Sequence, residues 1–431
     1  MAEARLKVLL IVEQCNPDWF SAPLVGYRLY ESIRQHVDVT LVTHERNREA
    51  LEKACPDANV FFIKESRLIS AYERIVKRIS TIRDRIIWPI YNSFGYFIYG
   101  DFDNKVYRTF KRDIEKGKYD VVHSLTPVMP RYPVKIAKVC DETPFVIGPV
   151  NGGVPFPKGF KKVASQEFAY FNFIRIFGRF LIPGYKRTYK KARYVLSGSS
   201  YTKGLVERTF DLNPKKVGLF FENGVTEEFL SQGRKNLSER SFNPERVTLI
   251  FVGRLVPYKG ADMLLEAVGQ LDSAVKEKIN LLIVGDGPEM PKLREMVKEL
   301  GLEEFVELCG WVSQSQTLDY YRRSDIFCFP SVREFGGAVV LEAMANALPC
   351  IVVNNGGIGE FVNEKVGFKV EPKSREYVIS ETAASIEVLV RDAEMRLSMS
   401  REAMRYAEDQ SWNKKSRFVA DVYKSVVTET V

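Results

Sequence analysis

The second half of the chain carries the clearer pattern. Apolar, mostly β-branched runs occur at Val247–Val252, Ile279–Val284, Val306–Leu308, Ile326–Phe329 and Ile351–Val353. Between them, Ala261–Leu271, Met290–Leu300, Gln316–Arg323 and Gly337–Ala347 have the spacing of helices. Short runs of this kind read as strands buried on both faces, and their alternation with helices every ~20–30 residues is the pattern of βαβ units. The first half repeats the scheme less regularly, with strands predicted at Val8–Val12, Asp38–Val42, Val60–Ile63, Val121–His123, Phe145–Ile147 and Tyr194–Leu196. The expected fold is therefore α/β, with two Rossmann-like parallel-sheet domains. Between them Ser231–Pro244 is polar, aperiodic and contains Gly, Asn and Pro, so it reads as a linker. Two such sheets joined by a linker are expected to face a central cleft. Ligands of such sheets bind beyond the carboxyl ends of the strands.

The length of 431 residues suits two or three domains, and 45% apolar with 27% charged residues is ordinary globular composition. The six cysteines are scattered, without a CxxC pair, which argues against a disulfide scaffold or a Cys-rich metal site and fits a reducing compartment. The N-terminal apolar run is too short for a signal-peptide core, and no stretch has the ~18–20 apolar residues of a membrane span. The chain is expected to be cytoplasmic.

The net charge of +8 changes the picture only when it is located. Residues 158–193 carry +9 and residues 64–85 carry +4, leaving −5 for the remainder. In the earlier stretch Leu68, Tyr72, Ile75, Val76, Ile79, Ile82 and Ile86 recur at helical spacing among arginines and lysines. The later stretch interleaves its cations with Phe160, Phe168, Tyr170, Phe171, Phe173, Phe177, Phe180, Tyr185 and Tyr189. Such segments suit the headgroup region of an anionic membrane; equally, they describe helices that pack their apolar faces on a core.

The residues that carry chemistry sit after strands. Gly253-Arg254 follow the run Val247–Val252, and Lys259-Gly260 precede a helix. Glycine allows close backbone approach, and two cations near a helix N-terminus suit a diphosphate. After Ile326–Phe329 comes the loop SVREFGG, in which Glu334 precedes Phe335, Gly336 and Gly337, and then a helix containing Glu342. A carboxylate there can accept hydrogen bonds from ribose hydroxyls, and the free N–H groups at the helix start face a bound phosphate. Each feature alone fits a surface loop or a dipole-stabilised helix terminus. Occurring together at two strand ends, they point to a nucleotide site.

In order along the chain, FVGRLVPYKG, LLIVGDGPEMPKL, GWVSQSQTLDYY, SVREFGGAVVLEAMA and NNGGIGEFV resemble the C-terminal domain of glycosyltransferase family 4. The resemblance covers roughly residues 216–426. It implies the GT-B architecture, a configuration-retaining sugar transfer from a nucleotide-sugar, with UDP the expected carrier, and no metal or other cofactor. It assigns the donor diphosphate to Arg254 and Lys259, the donor-sugar hydroxyls to Glu334, the ribose to Glu342, and sugar and phosphate contacts to the backbone of Phe335–Gly337. The expected domains are residues 1–226 on the acceptor side, 245–410 for the nucleotide-sugar, and 411–431 as a helix returning to the first domain.

The first domain departs from the family pattern. DVVHSLTP resembles a segment that usually carries two histidines; here His123 is kept and Leu125 stands at the other position. His123 is expected either to hydrogen-bond the donor sugar or to be a buried structural residue. GPVNGGVPFP follows a strand and makes Asn151, Gly152 and Gly153 either acceptor-cleft residues or a tight turn. Asp101-Phe-Asp103 is a DxD sequence expected to be a solvated turn, and Gly285-Asp-Gly287 is too short for a dinucleotide fingerprint. The expected partners are a nucleotide-sugar, a sugar or lipid-linked acceptor and an anionic membrane surface. Competing readings are a GT-B sugar-nucleotide epimerase, a catalytically inactive scaffold, and a non-enzymatic protein using the basic surface; no recognised nucleic-acid module accompanies that surface, and nucleic acid is not expected.

Overall fold

The computed structural model describes residues 5–82, 85–86, 88–126, 132–167, 182–239 and 246–428. It resolves into two compact units. Met1–Gly153, Glu167–Glu222 and Trp412–Val431 form the first; Val154–Gln166 and Asn223–Ser411 form the second.

The first unit is built on a seven-stranded parallel sheet. Its strands are β1 (Lys7–Ile11), β2 (Asp38–His44), β3 (Val60–Ile63), β4 (Val121–Ser124), β5 (Phe145–Val150), β6 (Tyr194–Ser197) and β7 (Val217–Leu219). Their order across the sheet is β3-β2-β1-β4-β5-β6-β7. Alternate residues of β1 enter two different cores, as the two-residue period of a strand requires. Leu9 and Ile11 pack with Tyr99, Phe102 and Val106 of the helix Trp88–Glu115. Val8, Leu10 and Val12 pack with Leu29, Tyr30 and Ile33 of the helix Ala22–Ile33 and with Val419, Ala420 and Tyr423 of the helix Trp412–Thr428. The last helix is therefore part of the first unit's core.

The second unit has six parallel strands: β8 (Val247–Val252), β9 (Ile279–Val284), β10 (Val306–Gly310), β11 (Ile326–Phe329), β12 (Cys350–Val353) and β13 (Gly367–Val370). Their order is β10-β9-β8-β11-β12-β13. The chain runs from the centre to one edge and returns to pair β11 with β8, which makes a topological switch point between these two strands. The short strands β7 and β13 were not legible in the sequence.

Ser231–Glu239 is helical, within Glu227–Glu239, and so is not a linker. Glu227 and Glu228 occupy the first turn, where acids favour the helix dipole. Phe229, Leu230, Gly233 and Asn236 form the buried stripe. A Cβ at Gly233 would collide with the Ala345 carbonyl, so the helix lies close against the helix Ala338–Ala345. Two of the four buried positions are Gly and Asn, which hid the periodicity.

The DxD sequence lies within the helix Trp88–Glu115 and is not a solvated turn. Asp101 accepts hydrogen bonds from the Ser66 hydroxyl (2.7 Å) and Lys105 (2.8 Å). Asp103 is buried and accepts the Lys135 backbone N–H (2.9 Å), and burial pushes its carboxyl up to about 7. Residues two apart on a helix point in different directions, so the pair does not converge on one ion. No helix among the described residues is long and apolar enough to cross a membrane.

The helix Arg67–Ser80 turns its buried side inward through Val76 and Ser80. Leu68, Ile75 and Ile79 are 84%, 59% and 52% exposed. With Tyr72 they share one stripe at i, i+4, i+7 and i+11. Arg67, Arg74 and Arg78 repeat the same spacing in a parallel exposed row. The Phe97 ring, itself exposed, meets Tyr72 edge-on at 6.0 Å. The later basic stretch differs. Phe160, Tyr185 and Tyr189 are core residues, Tyr189 stacking on Phe210 at 4.1 Å, and residues 168–181 lie outside the described ones.

Candidate functional site

The loops after β8 and β11 leave the switch point of the second sheet side by side. Gly253 and exposed Arg254 begin the first loop, and Pro257–Lys259 form a single tight turn before the helix Ala261–Gln270. Gly260 links turn and helix at φ 76°, where a Cβ would lie 2.4 Å from the Pro330 carbonyl oxygen. The second loop is tied to the first: the Val332 N–H donates to the Tyr258 carbonyl at 2.9 Å.

This tie brings together two residues 75 positions apart, Lys259 and Glu334, whose ammonium and carboxylate are in direct contact. Both side chains are largely buried, and Lys259 Nζ lies 5.0 Å from the Phe329 ring centroid and 5.6 Å from that of Tyr258. Rings on two sides and a carboxylate hold the ammonium at the strand ends. Beyond Glu334, Phe335 and Gly336 lead to Gly337 at φ 54°, which starts the helix Ala338–Ala345. A Cβ at Gly337 would come within 2.3 Å of Ile358. The first N–H groups of this helix have no partner inside it, so the loop presents donors and a positive dipole end.

Glu342 lies on the same helix and accepts hydrogen bonds from Gln314 Nε2 (3.1 Å) and the Tyr321 hydroxyl (3.4 Å). Burial raises its carboxyl above the usual range, and these two donors pull it back. Gln314 and Tyr321 thus orient Glu342. Both lie in the segment GWVSQSQTLDYY, yet neither was singled out as a functional position, because the side chains of the helix Gln314–Arg322 are common ones.

The second loop is also pinned from the far side. Glu334 bridges Gly356, and the Gly357 N–H donates to the Glu334 carbonyl at 3.2 Å. Gly285 and Gly287 serve a similar purpose: Cβ atoms there would lie 1.9 Å from the Gly253 carbonyl and 2.3 Å from that of Leu255. The GDG sequence lets two backbones touch.

In the first unit the expected site residues are spent on structure. His123 is fully buried. Its Nδ1 lies 2.5 Å from the Tyr423 hydroxyl and its Nε2 lies 2.7 Å from the Gly148 carbonyl. The arrangement satisfies both nitrogens when Nε2–H donates to the carbonyl and Nδ1 accepts from the phenol. Burial lowers the imidazole to about 4, so the ring is neutral. It ties β4 and β5 to the last helix, and both of its ring nitrogens are engaged there. Asn151 is also buried, its amide nitrogen 2.5 Å from a Glu222 carboxylate oxygen and its carbonyl accepting from Ser199 and Thr202. The Gly152 N–H donates to the Thr202 hydroxyl at 3.1 Å. Of the three expected cleft residues, only Gly153 is exposed.

Residues 234–406 match the family model described as glycosyl transferases group 1. This part of the chain belongs to that glycosyltransferase family. The group 1 region contains Arg254, Lys259, Glu334 and Glu342, and the two parallel-sheet domains are those of the GT-B fold. Among curated proteins, the chain is 28% identical over 229 residues to D-inositol 3-phosphate glycosyltransferase of Corynebacterium glutamicum, covering 51% of this chain and 54% of that protein. It is 23% identical over 197 residues to the phosphatidylinositol N-acetylglucosaminyltransferase GPI3 subunit of Saccharomyces cerevisiae, covering 46% and 43%. The chain spans about half the length of the curated relatives it matches. Among solved structures it is similar in fold to Anabaena Alr3699/HepE in complex with UDP, with a TM-score of 0.62, 16% identity, and 97% and 100% of the two chains covered.

Proposed function

We propose that the chain is a retaining glycosyltransferase that moves a sugar from a UDP-sugar to a lipid-linked or membrane-surface acceptor. The observation that carries the reading is the Lys259–Glu334 contact at the switch point of a group 1 domain, beside the start of the helix Ala338–Ala345. Lys259, Arg254 and the helix N–H groups would receive the charge that develops on the departing diphosphate. Glu334 would hold the sugar hydroxyls, and Glu342 would hold the ribose with Gln314 and Tyr321 behind it. A phosphate oxygen of the leaving group takes the acceptor proton, so no side-chain base is needed. The UDP of the structural neighbour supports the choice of nucleotide. The test is hydrolysis of, or transfer from, a panel of UDP-, GDP- and ADP-sugars. Loss of both activities in Lys259→Ala and Glu334→Ala is expected; full activity in both refutes the site.

The acceptor side rests on the helix Arg67–Ser80. Its exposed Leu68, Ile75 and Ile79 beside a row of arginines suit insertion at an anionic bilayer surface, where the apolar stripe enters the acyl boundary and the cations stay among headgroups. One relative's name, a phosphatidylinositol glycosyltransferase subunit, fits such an acceptor. Sedimentation with vesicles of phosphatidylglycerol and phosphatidylcholine should capture the protein on the anionic vesicles, and Ile75→Glu should release it. Equal failure to bind both vesicle types removes the membrane from the proposal.

A further inference from the structure

The segment Val154–Gln166 follows β5 and is flanked on both sides by first-unit residues, yet it packs in the second unit. It touches the donor loops at two places. At one end the Arg333 guanidinium lies between two rings, 4.6 Å from the centroid of Phe156 and 4.9 Å from that of Phe335. Its Nε–H donates to the Val154 carbonyl at 3.1 Å. Asn355 Nδ2 adds a second tie, donating to the Pro155 carbonyl (3.3 Å) and to the Val332 carbonyl (2.7 Å). At the other end, the helix Lys161–Gln166 packs beside the turn Pro257–Lys259, which carries the site's ammonium. Between the two, Gly159 lies so close to the second unit that a Cβ would meet the Lys373 carbonyl at 2.1 Å.

We infer that Arg333 is a positioning residue of the donor site and that it works by clamping this strap onto the loop that holds Glu334 and Phe335. The inference rests on the donor-site reading above. A guanidinium between two aromatic faces is fixed in plane and height, since displacing either ring costs cation–π attraction. Phe335 is one of those rings and the next residue after Glu334. Fixing it sets the direction of the Glu334 carboxylate and of the Gly336–Gly337 backbone. Arg333 commits its Nε–H to the strap's Val154 carbonyl and its guanidinium to the two rings. It therefore acts through the loop and not on the substrate, and Phe156 becomes part of the donor site although it lies 177 residues before Arg333 in the chain.

The test uses the full chain with UDP-glucose as the hydrolysis probe, or whichever nucleotide-sugar the panel selects, and UDP for calorimetry. Arg333→Gln and Phe156→Leu should each lower kcat about 10–100-fold, the scale of a misplaced reacting group. They should leave the UDP Kd within about threefold, because Arg254 and Lys259 remain to hold the diphosphate. Phe156→Tyr, which keeps the ring, should restore kcat. The double variant should lose no more than the worse single one, since both changes break one clamp. Wild-type kcat in folded Arg333→Gln overturns the inference, and so does a double variant whose loss is the product of the two single losses. If Lys259→Ala also keeps full activity, the donor-site reading has failed; if only Lys259→Ala is inactive, that reading stands and the clamp alone falls.

Discussion

Replacing Glu334 with Gln is expected to move ligand affinity and turnover in opposite directions. Without donor, the Lys259 ammonium is neutralised by Glu334, and both side chains are only 15–16% exposed. A diphosphate must share or displace that carboxylate. Two unit charges about 4 Å apart interact by roughly 4 kcal/mol at an effective dielectric of ~20, and most of this is cancelled by the cost of taking both from water. A net difference of about 1–2 kcal/mol remains, which corresponds to roughly 5–30-fold in affinity. Glu334→Gln should therefore bind UDP about that much more tightly in calorimetry. Hydrolysis of the UDP-sugar should fall in the same protein, because the sugar loses its charged acceptor. An unchanged or weakened UDP affinity would refute the argument that the two groups neutralise each other in the empty site.

Other perturbations test the scaffold. The Asp103 carboxyl is raised to about 7 by burial, so the folded state holds a proton there that the unfolded chain gives up near its ordinary value. Its contribution to stability is complete below about pH 4 and is lost as pH rises through 7, up to ~4 kcal/mol in all. Asp103→Asn should flatten the melting temperature between pH 5 and 8, and a profile parallel to the wild type would contradict this. Tyr423→Phe leaves His123 Nδ1 without its phenol and should cost about 1–3 kcal/mol of stability while UDP binding is unchanged; a selective loss of UDP binding would return His123 to the site. Gly260→Ala forces a left-handed backbone on a residue facing the Pro330 carbonyl, and both melting temperature and UDP affinity should drop.

The second sheet was legible because its strands are unbroken apolar runs, and the residues of the Lys259 and Glu334 loops stood out because they follow such runs. Their mutual contact was not legible, since it depends on the pairing of β8 with β11 and on the Val332–Tyr258 hydrogen bond. His123 was a candidate through the resemblance of DVVHSLTP and Asn151 because its loop follows a strand, each with a structural reading beside it. Their partners, Tyr423 and Glu222, lie 300 and 71 residues away and only the fold could supply them. The stripe of the helix Arg67–Ser80 was visible as periodicity, but periodicity does not say which face is buried, and here the leucine and two isoleucines face outward. Arg333 lies in the loop SVREFGG but was not singled out, since its value comes from Phe156, in a segment that sequence order assigns to the other domain.

The place of the helix Trp412–Thr428 has a consequence for how the protein is made. Val8, Leu10 and Val12 are synthesised some four hundred residues ahead of Val419, Ala420 and Tyr423, which pack on them. At about 5–20 residues per second, the 189 residues from Asn223 to Ser411 hold that face of the sheet open for roughly 10–40 s. During this interval the nascent chain exposes the apolar patch that the last helix will cover, and the second unit has time to form before the first is sealed. A chaperone that shields apolar sheet faces should therefore stay bound until the helix Trp412–Thr428 has been made.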